Sequence, residues 1–155
     1  MDLVGKPIPP FSLQDDQGAT VTEKDLLGSW TVLYAYPKDN TPGCTTEACD
    51  FRDNFARAKK LGARVYGISR DSVKSHQGFI AKQELPFRLL SDPGTELLKA
   101  LGAFGKKVMY GKEVEGIIRS TFLIDPKGVI RHAWPKVSVK GHVDEVLETL
   151  KSLQK

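Results

Sequence analysis

The chain has 155 residues, of which 40% are hydrophobic. A chain of this size buries about two-thirds of its unfolded surface, so we expect one domain over residues 1–155 that folds without a stabilising disulfide. The net charge is +4, but the lysines are dispersed and not interleaved with aromatic residues, which argues against nucleic-acid binding. With no leader, lipidation motif or long apolar run, we expect a cytoplasmic protein that does not enter membranes and keeps its cysteines reduced.

The N-terminal part of the chain predicts a hairpin followed by a buried strand. Prolines in residues 5–10 favour an extended lead-in. Residues 11–13 and 19–22 flank an Asp-Asp-Gln-Gly turn, which predicts a β-hairpin. Residues 30–36 are almost all apolar, β-branched or aromatic, and this composition predicts a central strand covered on both faces.

A helix start follows this strand. Thr41 is typical of an N-cap and Pro42 of a first helical position. Apolar residues then recur at helical spacing and predict one helix that ends at Gly62. Residues 63–69 resume strand character close behind the helix, so we expect them to pair in parallel with the strand over 30–36.

The rest of the chain predicts shorter elements. These are a helix over 72–83 capped by Ser72, a strand over 85–90, a helix over 96–101, a loop over 104–116, a hairpin formed by strands 117–124 and 129–134, and an amphipathic helix over 143–153. The predicted fold class is therefore α/β, with a mixed sheet between helices on both faces.

The two cysteines of the chain, Cys44 and Cys49, come shortly after the predicted central strand. Cys44 lies three residues after Thr41, where the unpaired N–H groups of a helix start favour a thiolate. Complete ionisation of an ordinary thiol gains only about thirtyfold in rate at neutral pH. Catalysis would therefore also need donors that hold an electrophile and stabilise its departing oxygen. The alternative is that Cys44 is a small buried hydrophobic residue.

Cys49 follows five residues after Cys44. On an intact helix this spacing separates the two Cα atoms by about 8.6 Å and about 140° around the axis, beyond the limit of about 7 Å for a disulfide. A bridge would require the first turns to unwind. The spacing excludes a Cys-x-x-Cys motif and leaves an inert core cysteine or half of a metal site as alternatives. The histidines lack ligand spacing to the cysteines, so we expect no metal.

Several separated motifs resemble those of the peroxiredoxins. The stretch Pro37-x-x-x-Thr41-x-x-Cys44 is similar to the active-site motif of that family, and the position of Cys49 resembles the bacterioferritin comigratory protein (Q-type) branch. Further matches extend over essentially the whole chain: Gly5-Lys6-x-x-Pro9-x-Phe11, Phe51-Arg52, Arg119-Ser-Thr-Phe-Leu-Ile-Asp125 and Gly141-His142. The resemblance implies a thioredoxin-like fold with an N-terminal β-hairpin extension.

The resemblance also implies roles for individual residues. Cys44 would be the peroxidatic cysteine and Cys49 the resolving one. Thr41 would position the thiolate and the peroxide, Pro37 would shield the pocket from water, and Arg119 would stabilise the thiolate and hold the peroxide.

Glu47 falls where related enzymes place a carboxylate that orients the arginine. Each of these roles has a structural alternative. Glu47 could be a solvated carboxylate in a first helical turn, Arg119 a surface cation, Thr41 only an N-cap and Pro37 only a strand stop.

The implied function is a thiol-dependent peroxidase that reduces hydrogen peroxide and small organic hydroperoxides. Cys44 would become a sulfenic acid, Cys49 would condense with it, and thioredoxin or a glutaredoxin-like dithiol would reduce the disulfide. The resemblance implies no metal, haem or flavin. We expect a monomer, because both cysteines lie in one chain. A peroxide sensor that oxidises a partner would share this chemistry and differ in turnover, whereas the missing Cys-x-x-Cys disfavours a general disulfide oxidoreductase.

Overall fold

The computed structural model describes residues 3–155. The strands are β1 (Ser12–Asp15), β2 (Thr20–Thr22), β3 (Trp30–Ala35), β4 (Ala63–Ser69), β5 (Arg88–Ser91), β6 (Phe104–Met109), β7 (Lys112–Ile117), β8 (Ser120–Ile124) and β9 (Ile130–Trp134). The α-helices are α1 (Pro42–Asp53), α2 (Phe55–Lys60), α3 (Val73–Gln83), α4 (Glu96–Ala100) and α5 (His142–Leu153), and a 3-10 helix spans Glu23–Leu26. Within residues 3–155 no helix combines the length and apolar character that crossing a membrane requires.

Seven strands form one mixed sheet in the order β2-β1-β5-β4-β3-β8-β9. Strand β3 lies inside it, parallel to β4 and antiparallel to β8, and β1 pairs with β2 as the predicted hairpin. Side chains of β3 alternate between two cores because successive residues of a strand point to opposite faces. Val32 and Tyr34 pack with α1 and α5, whereas Leu33 and Ala35 pack with α4. The predicted mixed sheet with helices on both faces is confirmed.

The carboxyl end of β3 leads directly into the helix that carries both cysteines. Thr41 is the N-cap of α1 with extended backbone angles, and Pro42 is its first residue. The Thr45 N–H donates to the Thr41 carbonyl at 2.8 Å, which closes the first turn. Since β3, β4 and β5 run parallel, their carboxyl ends meet at the same edge of the sheet as this helix start.

The predicted single helix up to Gly62 is wrong, because the structure breaks it at Asn54. The Asn54 backbone leaves the helical region at φ −110° and ψ 11°. Its side-chain amide donates to the Asp50 carbonyl at 2.8 Å. An asparagine that bonds its own helix backbone competes with the regular helical ladder. The chain restarts as α2, and both helices still pack against the same core.

The predicted loop over 104–116 is also wrong, since these residues form the hairpin of β6 and β7. Lysines and glutamates hide the strand alternation in the sequence. Tyr110 and Gly111 connect the two strands with φ values of 53° and 77°, which matches a two-residue hairpin turn with left-handed residues at both positions. The predicted strand over 117–124 is correspondingly divided, with Ile118 and Arg119 between β7 and β8.

One further prediction differs in detail. Strand β5 begins at Arg88 and not at residue 85, because the Leu85 N–H closes α3 by donating to the Ile80 carbonyl at 3.1 Å. The extended lead-in pairs with the start of β9, where the Ile8 N–H donates to the Gly128 carbonyl at 2.8 Å. The hairpin of β8 and β9 and the closing helix α5 agree with the sequence.

Candidate active site

Cys44 lies in the first turn of α1 and is only 1% exposed. Its Sγ is 3.2 Å from Nη2 of Arg119. Gly43 leaves room for this approach, because a Cβ at that position would make a tight contact of 3.2 Å with the same Nη2 atom. The thiol therefore faces both a helix N-terminus and a guanidinium, two features that favour a thiolate.

Sheet register brings Arg119 to the helix start. Ser120 at the beginning of β8 pairs with Ala35 at the end of β3. Arg119 therefore lies beside the point where the chain leaves β3, although 75 residues separate it from Cys44 in sequence. Its backbone is fixed by a hydrogen bond from the Val137 N–H to the Arg119 carbonyl at 2.9 Å.

The guanidinium of Arg119 is shared between a thiol and a carboxyl group. Nη2 contacts Cys44, and Nη1 donates to Oε1 of Glu47 at 2.5 Å. Burial lowers the pKa of Arg119, but the neighbouring Glu47 and Cys44 raise it, and the net effect is upward. The guanidinium is therefore charged at any working pH, and its side chain is only 16% exposed. Arg119 is not a solvated surface cation.

Glu47 is completely buried, so the alternative of a solvated carboxylate is wrong. Burial raises the pKa of Glu47 to about 7, even though Arg119 lowers it. Its second oxygen, Oε2, and the Tyr34 hydroxyl are both buried without a hydrogen-bond partner among the described residues. Burial raises the pKa of Tyr34 well above its ordinary value, with Glu47 and Cys44 adding to the rise, so the phenol keeps its proton.

This arrangement ties the charge of Glu47 to that of Cys44. A charge buried without a partner is costly, and one guanidinium serves both groups. When Glu47 is protonated, its negative charge no longer offsets the positive charge of Arg119. Protonation of Glu47 therefore changes how much of that positive charge acts on the sulfur.

The Thr41 hydroxyl does not cap the helix. It donates to the Lys38 carbonyl at 2.7 Å, and α1 has no side-chain cap hydrogen bond. A hydroxyl carries one donor and two acceptor lone pairs, and among the described residues no donor meets these lone pairs. The alternative that the Thr41 hydroxyl only caps the helix therefore does not describe this structure.

A cleft of about 540 Å³ opens beside Arg119. Pro37, at the start of the loop that follows β3, lines this cleft, and apolar side chains of the β6–β7 hairpin and its surroundings form much of its wall. Lys107 lines the cleft as well and donates to the Ile117 carbonyl at 2.7 Å. Burial lowers the pKa of Lys107, Arg119 lowers it further and Cys44 raises it. The cleft beside Arg119 therefore combines apolar surface with positive charge.

Cys49 is half-buried and lies on the same intact helix. Its Sγ donates to Oε1 of Gln83 on α3 at 3.5 Å. Arg52 reinforces this contact between helices by donating to the Gln83 carbonyl at 2.8 Å. Both cysteines are free thiols, one against Arg119 and the other against α3. The helix keeps them apart, as their spacing predicts.

The structure adds residues that the sequence did not indicate. Gly43, Tyr34, Lys107 and Gln83 owe their positions to tertiary contacts. Asp39 lies between Pro37 and Thr41 of the active-site motif, but nothing in the sequence indicates that it is buried. His142, which begins α5, contacts the Thr121 hydroxyl through Nε2 at 2.8 Å, and burial lowers its pKa.

Asp39, Asp71 and His76 have potential metal-ligand atoms within 4.8 Å of one another. These atoms already bond to protein groups. His76 Nδ1 lies 2.8 Å from Asp39 Oδ2, and Asp71 Oδ2 accepts from the Asp39 N–H at 2.8 Å. We interpret the cluster as a hydrogen-bond network.

The raised pKa of Glu47 makes stability depend on pH. Between pH 4.5 and about 7 the folded state keeps a proton that the unfolded state releases, so stability falls as pH rises through this interval. The total loss is about 3 kcal/mol. We expect Glu47→Gln to remove this decrease in stability between pH 4.5 and about 7. The measurement is the free energy of unfolding, obtained by urea titration at several pH values.

Glu113→Gln is the matched control, because this carboxylate is exposed on the β6–β7 hairpin. It should preserve the wild-type slope. A Glu47→Gln protein with an unchanged slope would show that the buried carboxyl does not hold a proton in the folded state.

Comparison with known proteins agrees with this geometry. The AhpC/TSA family model matches residues 4–133. A putative peroxiredoxin bcp from Coxiella burnetii is 50% identical over 95% of this chain and 97% of its own. Peroxiredoxin Bcp from Bacillus subtilis is 48% identical over 97% of this chain and 96% of its own.

A solved structure shows the same likeness. The bacterioferritin comigratory protein of Xanthomonas campestris, described for its alkyl peroxide reduction activity, superposes with a TM-score of 0.89 at 48% identity, covering 94% of this chain and 92% of that one. The fold is therefore thioredoxin-like with the expected hairpin extension. The chain belongs to the AhpC/TSA family, in its bacterioferritin comigratory protein (Q-type) peroxiredoxin branch.

Proposed function

We propose that Cys44 is the nucleophile of this thiol-dependent peroxidase and Cys49 its resolving cysteine. The observation that carries the proposal is the contact of one buried guanidinium with both Cys44 Sγ and Glu47. A fixed positive charge in a water-poor site stabilises both an attacking thiolate and the negative charge that develops on a departing oxygen. The environment of Cys49 differs, because its Sγ donates to the neutral Gln83 side chain and the nearby cation, Arg52, is one-third exposed and pairs with Asp53.

In the first step, the Cys44 thiolate attacks the terminal oxygen of a hydroperoxide. The S–O bond forms as the O–O bond breaks, so the sulfur becomes a sulfenic acid. The departing water or alcohol oxygen accepts a hydrogen bond from Arg119 and takes a proton from solvent. The Thr41 hydroxyl oxygen accepts a hydrogen bond from the hydroperoxide O–H, and Pro37 shields the pocket around Cys44 from water.

In the second step, the Cys49 thiolate attacks the sulfenic sulfur, and hydroxide leaves as the disulfide forms. The folded helix holds the two sulfur atoms against different neighbours. The first turns of α1 must therefore open between the steps. An external dithiol then reduces the disulfide, and thioredoxin or a glutaredoxin-like protein is the proposed donor.

The cleft supports small organic hydroperoxides as substrates beside hydrogen peroxide. Its apolar lining includes Val108, Ile117, Ile118 and Val137, which suits a short alkyl group. The relative from Xanthomonas campestris is described for alkyl peroxide reduction, and this agrees with the same substrate class here.

We further propose that the protein works in the cytoplasm as a monomer with a single domain. A cycle that begins with two free thiols needs a compartment that keeps thiols reduced. Both cysteines belong to one helix, so the disulfide needs no second subunit.

Treatment with one equivalent of hydrogen peroxide should produce a Cys44–Cys49 disulfide, seen by mass spectrometry as the loss of two hydrogens. Cys49→Ser should instead accumulate a trappable sulfenic acid at Cys44, because no thiol can condense with it. Addition of a thioredoxin system should restore both thiols and sustain turnover by the wild-type protein. Oxidation of Cys49 before Cys44, or the absence of a bridge, would contradict the assignment.

Arg119→Ala should lower the second-order rate constant for hydrogen peroxide by about a hundredfold or more, the usual effect of losing a charge-stabilising donor. Stopped-flow rates are compared at equal thiolate fraction, which ultraviolet absorbance reports. The rate constant of Arg119→Lys should lie between those of the wild type and Arg119→Ala. Lysine keeps the positive charge but lacks the two guanidinium nitrogens that contact Cys44 and Glu47.

Arg131→Ala is the control, because this exposed arginine lies on β9 and pairs with Asp125. It should react at the wild-type rate. If the Arg119→Ala and wild-type rates coincide once thiolate fraction is matched, Arg119 does not stabilise the departing oxygen.

A further inference from the structure

A buried polar network lies at the carboxyl ends of three parallel strands. It joins Tyr36 after β3, Asp71 after β4 and Leu90 on β5 to His76 on α3. Asp39 is at its centre. Its side chain is 1% exposed, and that of His76 is completely buried. Neither residue contacts Cys44, Thr41 or Arg119 directly among the described hydrogen bonds.

Asp39 uses both carboxylate oxygens and its backbone N–H in this network. Oδ1 accepts from the Tyr36 hydroxyl at 2.5 Å, and Oδ2 accepts from the Ser75 hydroxyl at 2.8 Å. Oδ2 also lies 2.8 Å from His76 Nδ1. The Asp39 N–H donates to Asp71 at 2.8 Å. Such a set of bonds fixes both the side chain and the backbone of one loop residue.

The two ring nitrogens of His76 contact different parts of the network. Nε2 donates to the Leu90 carbonyl at 3.0 Å. Nδ1 lies 2.8 Å from Asp39 Oδ2. The ring therefore joins the loop at Asp39 to strand β5.

The position of Asp39 in the chain gives this network its significance. It lies two residues after Pro37 and two before Thr41, in a loop where Asn40 adopts a φ of 64°. A loop residue in that left-handed conformation is restrained by its surroundings. Thr41 in turn donates to the Lys38 carbonyl, next to Asp39. Fixing Asp39 therefore fixes the segment that presents the Thr41 hydroxyl and the start of α1.

We propose that His76, acting through Asp39, is a positioning residue for the reaction of Cys44 with peroxide. This inference rests on the proposed function, since it assigns what sets the geometry of that step. Misplacing a reacting group by about 1 Å costs about a hundredfold in rate. The second step does not need this geometry, because the first turns of α1 open before Cys49 attacks.

Two substitutions separate the two hydrogen bonds of His76. In His76→Asn the amide replaces Nδ1 and keeps a donor toward Asp39, whereas in His76→Gln it replaces Nε2 and keeps the bond to Leu90 only. Stopped-flow measurement of the peroxide step should show His76→Asn within about threefold of wild type and His76→Gln slower by about tenfold or more. Disulfide formation from the sulfenic acid should proceed at the wild-type rate or faster in both proteins.

Ser72→Ala is the control for simple loss of stability. Ser72 caps the same helix by accepting from the Ser75 N–H at 3.1 Å and does not touch Asp39. This variant should unfold more easily in urea and retain the wild-type peroxide rate. Ser75→Ala, which removes a single hydroxyl from Asp39, should slow the peroxide step a few-fold and provides the test if the His76 variants do not fold.

Equal losses in His76→Asn and His76→Gln would overturn the proposal, as would a slow peroxide step in Ser72→Ala or equal slowing of both chemical steps. An unchanged rate in Ser75→Ala, with neither His76 variant folded, would also overturn it. Failure of the proposed function would look different, because the wild-type protein itself would then not form a sulfenic acid at Cys44.

Discussion

The site depends on one guanidinium that is shared by a thiol and a carboxyl. Arg119 contacts Cys44 Sγ through one nitrogen and Glu47 through the other. Both partners are almost completely buried, so neither has water as an alternative source of stabilisation. The protonation of Glu47, whose pKa burial raises to about 7, therefore alters the electrostatic field at the sulfur. This coupling links the pH dependence of stability to the chemistry of the site.

Helix α1 has two functions that conflict. Its N-terminus helps to place Cys44 against Arg119, and its regular geometry holds Cys49 against Gln83 on α3. The arrangement that suits the first chemical step thus prevents the second. Opening releases the backbone hydrogen bonds of the first turns, the contacts of Arg119 with Cys44 and Glu47, and the contact of Cys49 with Gln83. By contrast, the loop before the helix is fixed through Asp39, which belongs to a buried hydrogen-bond network. This loop can therefore stay in place while the first turns of α1 open.

The sequence predicted most of what depends on local pattern. The strand over 30–36, the helix start at Thr41 and Pro42, and the position of Cys44 between them follow from composition and spacing alone. Arg119 did not, because only the pairing of β8 with β3 brings it to Cys44. Its role came from family resemblance, and the structure supplied the contact. The burial of Glu47 was equally hidden from the sequence, because a carboxylate near the start of a helix is usually exposed.

The missed features have physical reasons of the same kind. The sequence predicts a loop in place of the β6–β7 hairpin because charged residues on its exposed faces conceal the alternation, and the turn depends on the conformation of Tyr110. His76 gave no signal because its partner Asp39 lies 37 residues away in sequence. Pairings between distant segments decide which polar residues are buried together, and a single sequence does not state those pairings.

Amide hydrogen exchange in the reduced and the peroxide-oxidised protein tests most directly whether the helix that places Cys44 must open to complete the reaction. The reduced protein should protect the amides of residues 45–49, which lie within α1. In the disulfide form their protection factors should fall by about tenfold or more, while the amides of β8 stay protected in both forms. Equal protection of residues 45–49 in the two forms, with the Cys44–Cys49 disulfide present, would contradict this mechanism.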